Sequence, residues 1–179
     1  WSFRKSEDNI GRISRILNDF NDYPLTIEVR HKTWDTGDFL KFLGDTGAAF
    51  CNIDQPVIGS SISPTSHITG KIAYVRFHGR NYEKWFTSGD DPAERYNYLY
   101  TEQDLAPWVD RIREILEKKI DTYVITNNHW HGKAAHTALM IKNKLTDEKQ
   151  KIPEALLRTY PDLNGICKDE RQIEQSDLF

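Results

Sequence analysis

Apolar residues at Ile10, Ile13, Ile16, Leu17 and Phe20 recur at helical spacing, and Ser6 stands where a hydroxyl would accept from the first free N–H groups. This predicts an opening helix from Ser6 to about Phe20. Four runs with a period of two predict strands at Leu25–Arg30, Ala48–Asp54, Ile72–His78 and Thr122–Asn127. Between them the pattern returns to helical spacing, first in a short helix at Asp38–Leu43. A long helix follows, opened by Thr101 with Asp104 three residues on, a variant of the capping box. Its apolar stripe is Leu105, Trp108, Val109, Ile112, Ile115 and Leu116. A last strong helix is predicted at Lys133–Leu145, and beyond Thr146 the pattern decays into a polar tail with a short helix near Pro153–Arg158.

Strands separated by helices imply parallel pairing, because a parallel crossover needs about a dozen residues. Each strand has an apolar face and a face that turns polar toward its end: Thr26, Glu28, Arg30; Phe50, Asn52, Asp54; Tyr74, Arg76, His78; Thr126, Asn128. A half-solvated antiparallel sheet would explain the alternation but not the helices, which normally cover a parallel sheet on both sides. An open doubly wound sheet and a barrel both fit this rhythm; the fold class expected is α/β, with the polar faces favouring a (β/α) barrel with outer helices and polar interior faces over residues 1–145, followed by a polar C-terminal tail, 146–179. Two long connections, Gln55–Lys71 and Gly79–Tyr100, have the length of binding loops or lids.

Composition changes this picture little. The chain has 179 residues, 38% of them hydrophobic, enough for one domain with a sizeable core. No apolar run approaches the roughly 18 residues of a membrane span. There is no signal-peptide pattern, and the chain opens at Trp1 rather than Met, so a true N-terminus upstream and a cytoplasmic location are expected. The net charge of −3 comes wholly from Thr146–Phe179, with eight acidic and five basic residues. Any attraction for an anion must then be local. Cys51 and Cys167 lack metal-ligand spacing and read as free thiols of a reducing compartment, Cys51 a buried one.

The runs Ile27–Trp34, Tyr74–Asn81, Arg95–Tyr100 and Asn127–Ala134 together resemble the YecE-like family, domain of unknown function 72, over roughly residues 1–145. The resemblance implies a TIM-type (β/α) barrel of about 250 residues, of which this chain would be an incomplete, C-terminal portion, with no assigned activity. The family's motifs map onto Glu28, Arg30, His31, Trp34, Asp54, Arg76, His78, Gly79, Arg80, Asn81, Tyr98, Tyr100, Asn127 and Asn128.

Charges inside a barrel are costly unless paired, and barrel active sites sit at the carboxyl ends of the strands. Glu28, Asp54 and His78 are the candidate catalytic residues: two carboxylates facing one cavity could divide acid and base roles, or could be ion-paired with Arg30 and Arg76. Arg30, Arg76 and Arg80 suit bidentate capture of a phosphate or carboxylate. His31, Asn81, Asn127, Asn128 and Lys133 complete the anion-binding set, since Asn127–Lys133 runs from a strand end into a helix N-terminus. Trp34, Tyr98 and Tyr100 form a candidate aromatic platform, with Tyr82, Trp85, Phe86, Tyr96 and Trp130 nearby in sequence; packing of the loop on the rim is the other reading. No HExxH spacing occurs, and neither a metal nor a cofactor is assigned.

The end of the chain, Gln175-Ser176-Asp177-Leu178-Phe179, resembles the short motif that docks bacterial repair and replication proteins on the DNA sliding clamp. The leading expectation is an enzyme using acid/base chemistry on a phosphorylated or nucleic-acid-derived substrate. Sugar processing by a close carboxylate pair, and a non-enzymatic anion- or nucleic-acid-binding adaptor on the clamp, are the alternatives. All rest on Glu28, Asp54, Arg76, His78 and Asn128 sharing one interior mouth.

Overall fold

A computed structural model describes residues 2–85 and 92–168; Phe86 and the clamp-like Gln175, Leu178 and Phe179 lie outside the described residues. Four strands, β1 (Thr26–Ile27), β2 (Ala49–Asp54), β3 (Ile72–Phe77) and β4 (Asp121–Thr126), form one sheet in sequential order, all parallel. The helices are α1 (Glu7–Asp19), α2 (Gly37–Thr46), α3 (Glu102–Leu116), α4 (Lys133–Thr146) and α5 (Glu154–Thr159). The first strand is shorter than its pattern predicts: only Thr26 and Ile27 pair with β2, and the chain leaves the ladder at Glu28.

The helices begin where their caps dictate. The Ser6 hydroxyl accepts from Asn9 N–H, and Thr101 and Asp104 exchange both bonds of a capping box. Leu105, Trp108, Val109, Ile112 and Ile115 of α3 are buried, whereas Leu116 is exposed. In α1 only Ile13 and Leu17 are buried, and Ile16 and Phe20 face solvent.

Register decides which side chains share a face. Asn52 pairs with Val75, Asp54 with Phe77, and Cys51 with Tyr74. Phe50, Asn52, Asp54, Ala73, Val75 and Phe77 therefore share one face, and the helices cover it. One cluster packs α1 and α2 against Phe50; the other packs Trp108, Ile112, Ile115 and Ile141 of α3 and α4 against Ala73, Val75 and Phe77. The opposite face carries Thr26, Cys51, Ile53, Tyr74, Arg76, Tyr123 and Ile125; Tyr123 and Ile125 are exposed there.

The connection from Gln55 to Lys71 is packed rather than open. Asn52 Nδ2 donates to His67 O, its Oδ1 accepts from Thr65 Oγ1 and His67 N, and Ser61 and Ile62 are buried. The folded chain also continues past Leu145. Residue Gln150 bridges Cys167, Leu163 and Tyr160 are buried, and His136 of α4 lies 2.7 Å from Asp162. Both cysteines are free, and among the described residues no helix is long and apolar enough to cross a membrane.

Candidate functional site

The polar side chains at the carboxyl ends of the strands form two clusters, one on each side of the sheet. On the open side the chain leaves β1 and Glu28 turns toward Arg76 of β3. Arg76 Nη1 donates to Glu28 Oε2 at 2.7 Å, and Arg30 Nε donates to Oε1 at 2.9 Å. His78 follows β3 with the parity of Arg76, and its Nε2 lies 3.1 Å from Glu28 Oε1 and 3.1 Å from Arg30 Nη2. A neutral imidazole carrying its proton on Nε2 donates to Glu28 and leaves the Nδ1 lone pair toward Arg30, 3.5 Å away. The His78 ring is 1% exposed, while Arg30 and Arg76 keep about a third of their side-chain surface, 32% and 33%. Arg76 Nε is buried and has no partner among the described residues.

The electrostatics follow from this packing. Burial pushes the Glu28 carboxyl up, but the hydrogen bond from His78 and the charges around it outweigh burial, so Glu28 stays ionised far below the usual carboxylate range. Burial and the nearby guanidinium groups hold His78 below its ordinary value, against the pull of Glu28. Two guanidinium groups, one carboxylate and a neutral imidazole leave the cluster with one net positive charge. A cavity of about 380 Å³ runs from Glu28 and Arg76 toward the starts of the strands, bounded also by Pro24, Thr26, Cys51, Ile72, Tyr74 and Tyr123; Arg30 and His78 do not line it.

An aromatic strip continues from this cluster across the strand ends. The Arg30 guanidinium sits 5.8 Å from the Trp85 ring, and the His78 ring lies 6.3 Å from Tyr96, itself 5.2 Å from His129. His129 Nδ1 is 3.1 Å from Asn127 O. Lys133 reaches Asn97 Oδ1, next to Tyr96, and burial lowers the ammonium's affinity for its proton.

The second cluster lies on the helix-covered side, around Asp54. This carboxylate is fully buried and accepts from Arg80 Nε at 3.0 and 2.9 Å, Arg80 Nη2 at 2.7 Å, Trp108 Nε1 at 2.8 Å and the Tyr100 hydroxyl. Arg80 Nη1 donates to Asp104 Oδ1 at 3.0 Å, and Tyr98 Oη to Asp104 Oδ2 at 3.0 Å. Asn81 Nδ2 donates to Glu94 O and Asn97 O, tying the two ends of the long connection together.

Several expectations are thereby corrected. Asp54 does not share a cavity with Glu28, because the polar side of β2 faces the helices. Arg80 is saturated by Asp54 and Asp104 and is not a free anion ligand. Asn128 is buried beside α4, donating to Tyr98 O and Thr137 Oγ1, with Oδ1 unpartnered among the described residues. His31 is buried and its Nδ1 accepts from Thr33 N as a local cap, outside the Glu28 cluster. Trp34 is wholly buried, donating to Phe3 O and packing on Phe3 and Phe39. Tyr100 is buried, and Tyr98 meets it edge to face at 5.0 Å, so these rings pack the connection onto the sheet and offer no platform. What the structure does bring together is Glu28, Arg30, Arg76 and His78. Among the described residues no three His, Cys, Asp or Glu side chains are grouped to hold a metal ion.

The chain matches the family described as Protein of unknown function DUF72 over residues 1–162. It belongs to the DUF72 family. It is 30% identical over 142 residues to the UPF0759 protein YunF of Bacillus subtilis, covering 74% of this chain and 50% of that protein. A solved DUF72 family protein from Thermotoga maritima superposes with a TM-score of 0.74 at 35% identity, over 80% of this chain and 54% of that one. Another from Enterococcus faecalis gives 0.72 at 25% identity, over 86% and 58%. The DUF72 chain described here thus spans about half the length of the relatives it matches. Trp85 and Tyr96 were expected only as aromatics of the long connection, and His129 was not singled out, because all three lie in connections, where periodicity carries no signal.

Proposed function

We propose that this sheet is part of a (β/α) barrel and that the Glu28 cluster is an anion site serving acid/base chemistry on a phosphorylated ligand. The barrel reading draws on the one-sided cover: helices pack a single face of a parallel sheet, where an open sheet would be covered on both. The anion reading draws on one observation above all, the Glu28 carboxylate held between Arg30 and Arg76. A carboxylate that binds two guanidinium groups fixes both forks in one place while neutralising only half their charge. Arg30 Nη1 and Arg76 Nη2 have no acceptor among the described residues and are the donors this reading assigns to an incoming oxyanion.

His78 is the acid/base group in this reading. Burial keeps it neutral near pH 7, and Glu28 orients it as a carboxylate orients an imidazole in many proton-transfer sites. An anion that draws the Arg30 guanidinium onto itself uncovers Nδ1 for the ligand. Glu28, held ionised, is the orienting group and no general acid. The sugar-processing alternative loses its motivation, because Glu28 and Asp54 point to opposite sides of the sheet.

A panel of phosphate esters and sugar phosphates followed by phosphorus NMR tests the proposal. A compound converted by the wild-type protein should be converted at least about 100-fold more slowly by His78→Asn, as for loss of a general acid or base. Conversion that survives both His78→Asn and Arg76→Met would remove the assignment.

A further inference from the structure

Asp54 was the second carboxylate singled out by the strand pattern, yet it touches no cavity. Its bonds have another property: they end on consecutive residues. The Asp54 carbonyl accepts from His78 N–H at 2.9 Å. Gly79 N–H donates at 2.9 Å to the Tyr100 hydroxyl, which in turn donates to the Asp54 carboxylate. The Arg80 guanidinium is bound by the same carboxylate at 2.7–3.0 Å. Residues 78, 79 and 80 are thus each tied to one aspartate.

Gly79 closes the arrangement. Its φ is +93°, and a Cβ there would stand 3.0 Å from Tyr98 Cβ and 3.7 Å from Asn128 Cβ, so the turn requires glycine. A network serving stability alone could end on any side chains of the core. This one ends, through Tyr100, on the Gly79 N–H, directly after the His78 N–H that the Asp54 main-chain carbonyl already holds.

We propose that Asp54 and Tyr100 are positioning residues that act through the His78–Gly79 backbone to hold the His78 imidazole between Glu28 and Arg30. The inference rests on the reading of His78 as the working group of the anion site. Trp108 and Arg80 keep the Asp54 carboxylate in the rotamer that Tyr100 requires, and Asp104 holds Arg80 from its far side. Asp54 and Tyr100 themselves touch no ligand.

The test uses Tyr100→Phe, which keeps the ring packed on Phe77 and removes only the hydroxyl. Two quantities are read: the pH titration of the His78 imidazole by NMR, and the affinity for sulfate. In Tyr100→Phe the His78 titration moves up toward that of a free imidazole, and sulfate binds about 5- to 10-fold more weakly, as for loss of one hydrogen bond. Ile115→Val, a mild cut in the same helix-packed core, should move neither. Wild-type values of both in Tyr100→Phe would overturn the positioning role. Should that variant not fold, the wild-type Gly79 amide decides instead: protection from hydrogen exchange as strong as in β3 supports the role, and exchange as fast as an open loop refutes it. If wild-type protein binds no sulfate, the anion reading fails, while the His78 titration still judges the positioning.

Discussion

Arg76 Nη1 reaches Glu28 Oε2 across 2.7 Å, over the strand that separates them. β2 lies between β1 and β3 and presents Cys51 and Ile53 on this face, Cys51 opposite Tyr74 and Ile53 opposite Arg76. Cys51 also bounds the cavity beside Glu28 and Arg76, with a small side chain. Cys51→Leu should both overpack the site and part Glu28 from Arg76. A loss of roughly 1–3 kcal/mol in urea unfolding is expected, together with lost sulfate binding.

The same burial makes Cys51 unreactive. Desolvation, with the Glu28 charge adding to it, pushes its thiol far above the ordinary range, so almost no thiolate exists at neutral pH. Iodoacetamide on the native protein should label the partly exposed Cys167 and leave Cys51 untouched until urea is added. Mass spectrometry of the peptides reads this directly; labelling of native Cys51 would contradict its burial.

Stability should fall as pH falls, in two stages. His78 is depressed in the folded chain, so the unfolded chain takes up its proton first, and stability declines below about 6.5. Glu28 is also depressed, so its contribution is complete above about 4.3 and is lost below that. Both groups act in the same direction. His78→Asn should flatten the upper stage and Glu28→Gln the lower one, measured as urea midpoints from pH 3 to 8 (roughly the span of these two groups' unperturbed values).

Asp54→Ala should be among the most destabilising substitutions in the chain. It leaves the Arg80 guanidinium, which is 22% exposed, with Asp104 as its remaining carboxylate, and Trp108 Nε1 without an acceptor. A loss of about 3–5 kcal/mol follows from breaking a buried pair at one end. Trp108→Phe, removing one donor of several, should cost roughly 1–3 kcal/mol.

The strands, their parallel order and the caps at Ser6 and Thr101 were legible because each depends on neighbours along the chain. The face of β2 was not. Asn52 and Asp54 look like cavity residues beside Glu28 and Arg76, but their partners Thr65, His67, Arg80, Tyr100 and Trp108 arrive from distant segments and satisfy them on the helix side. Polarity shows that a residue needs partners, without saying on which side they stand. Trp34 misled in the complementary way: a tryptophan just past a strand end looks exposed until Phe3 and Phe39 close over it. Glu28, Arg76 and His78 were read as one group together with Asp54 and Asn128, and only the first three, joined by Arg30, stand on one side of the sheet.

The central claim is that Arg30 and Arg76, held by Glu28, bind an anion beside His78. Calorimetric titration of sulfate, which does not itself titrate near neutrality, tests it most directly when run at several pH values on wild type and Arg76→Met. The account predicts binding that strengthens as pH falls and His78 takes up a proton, at least about tenfold weaker in Arg76→Met for loss of a charge-assisted pair. Equal affinity in the two proteins, or no binding by the wild type, would contradict it.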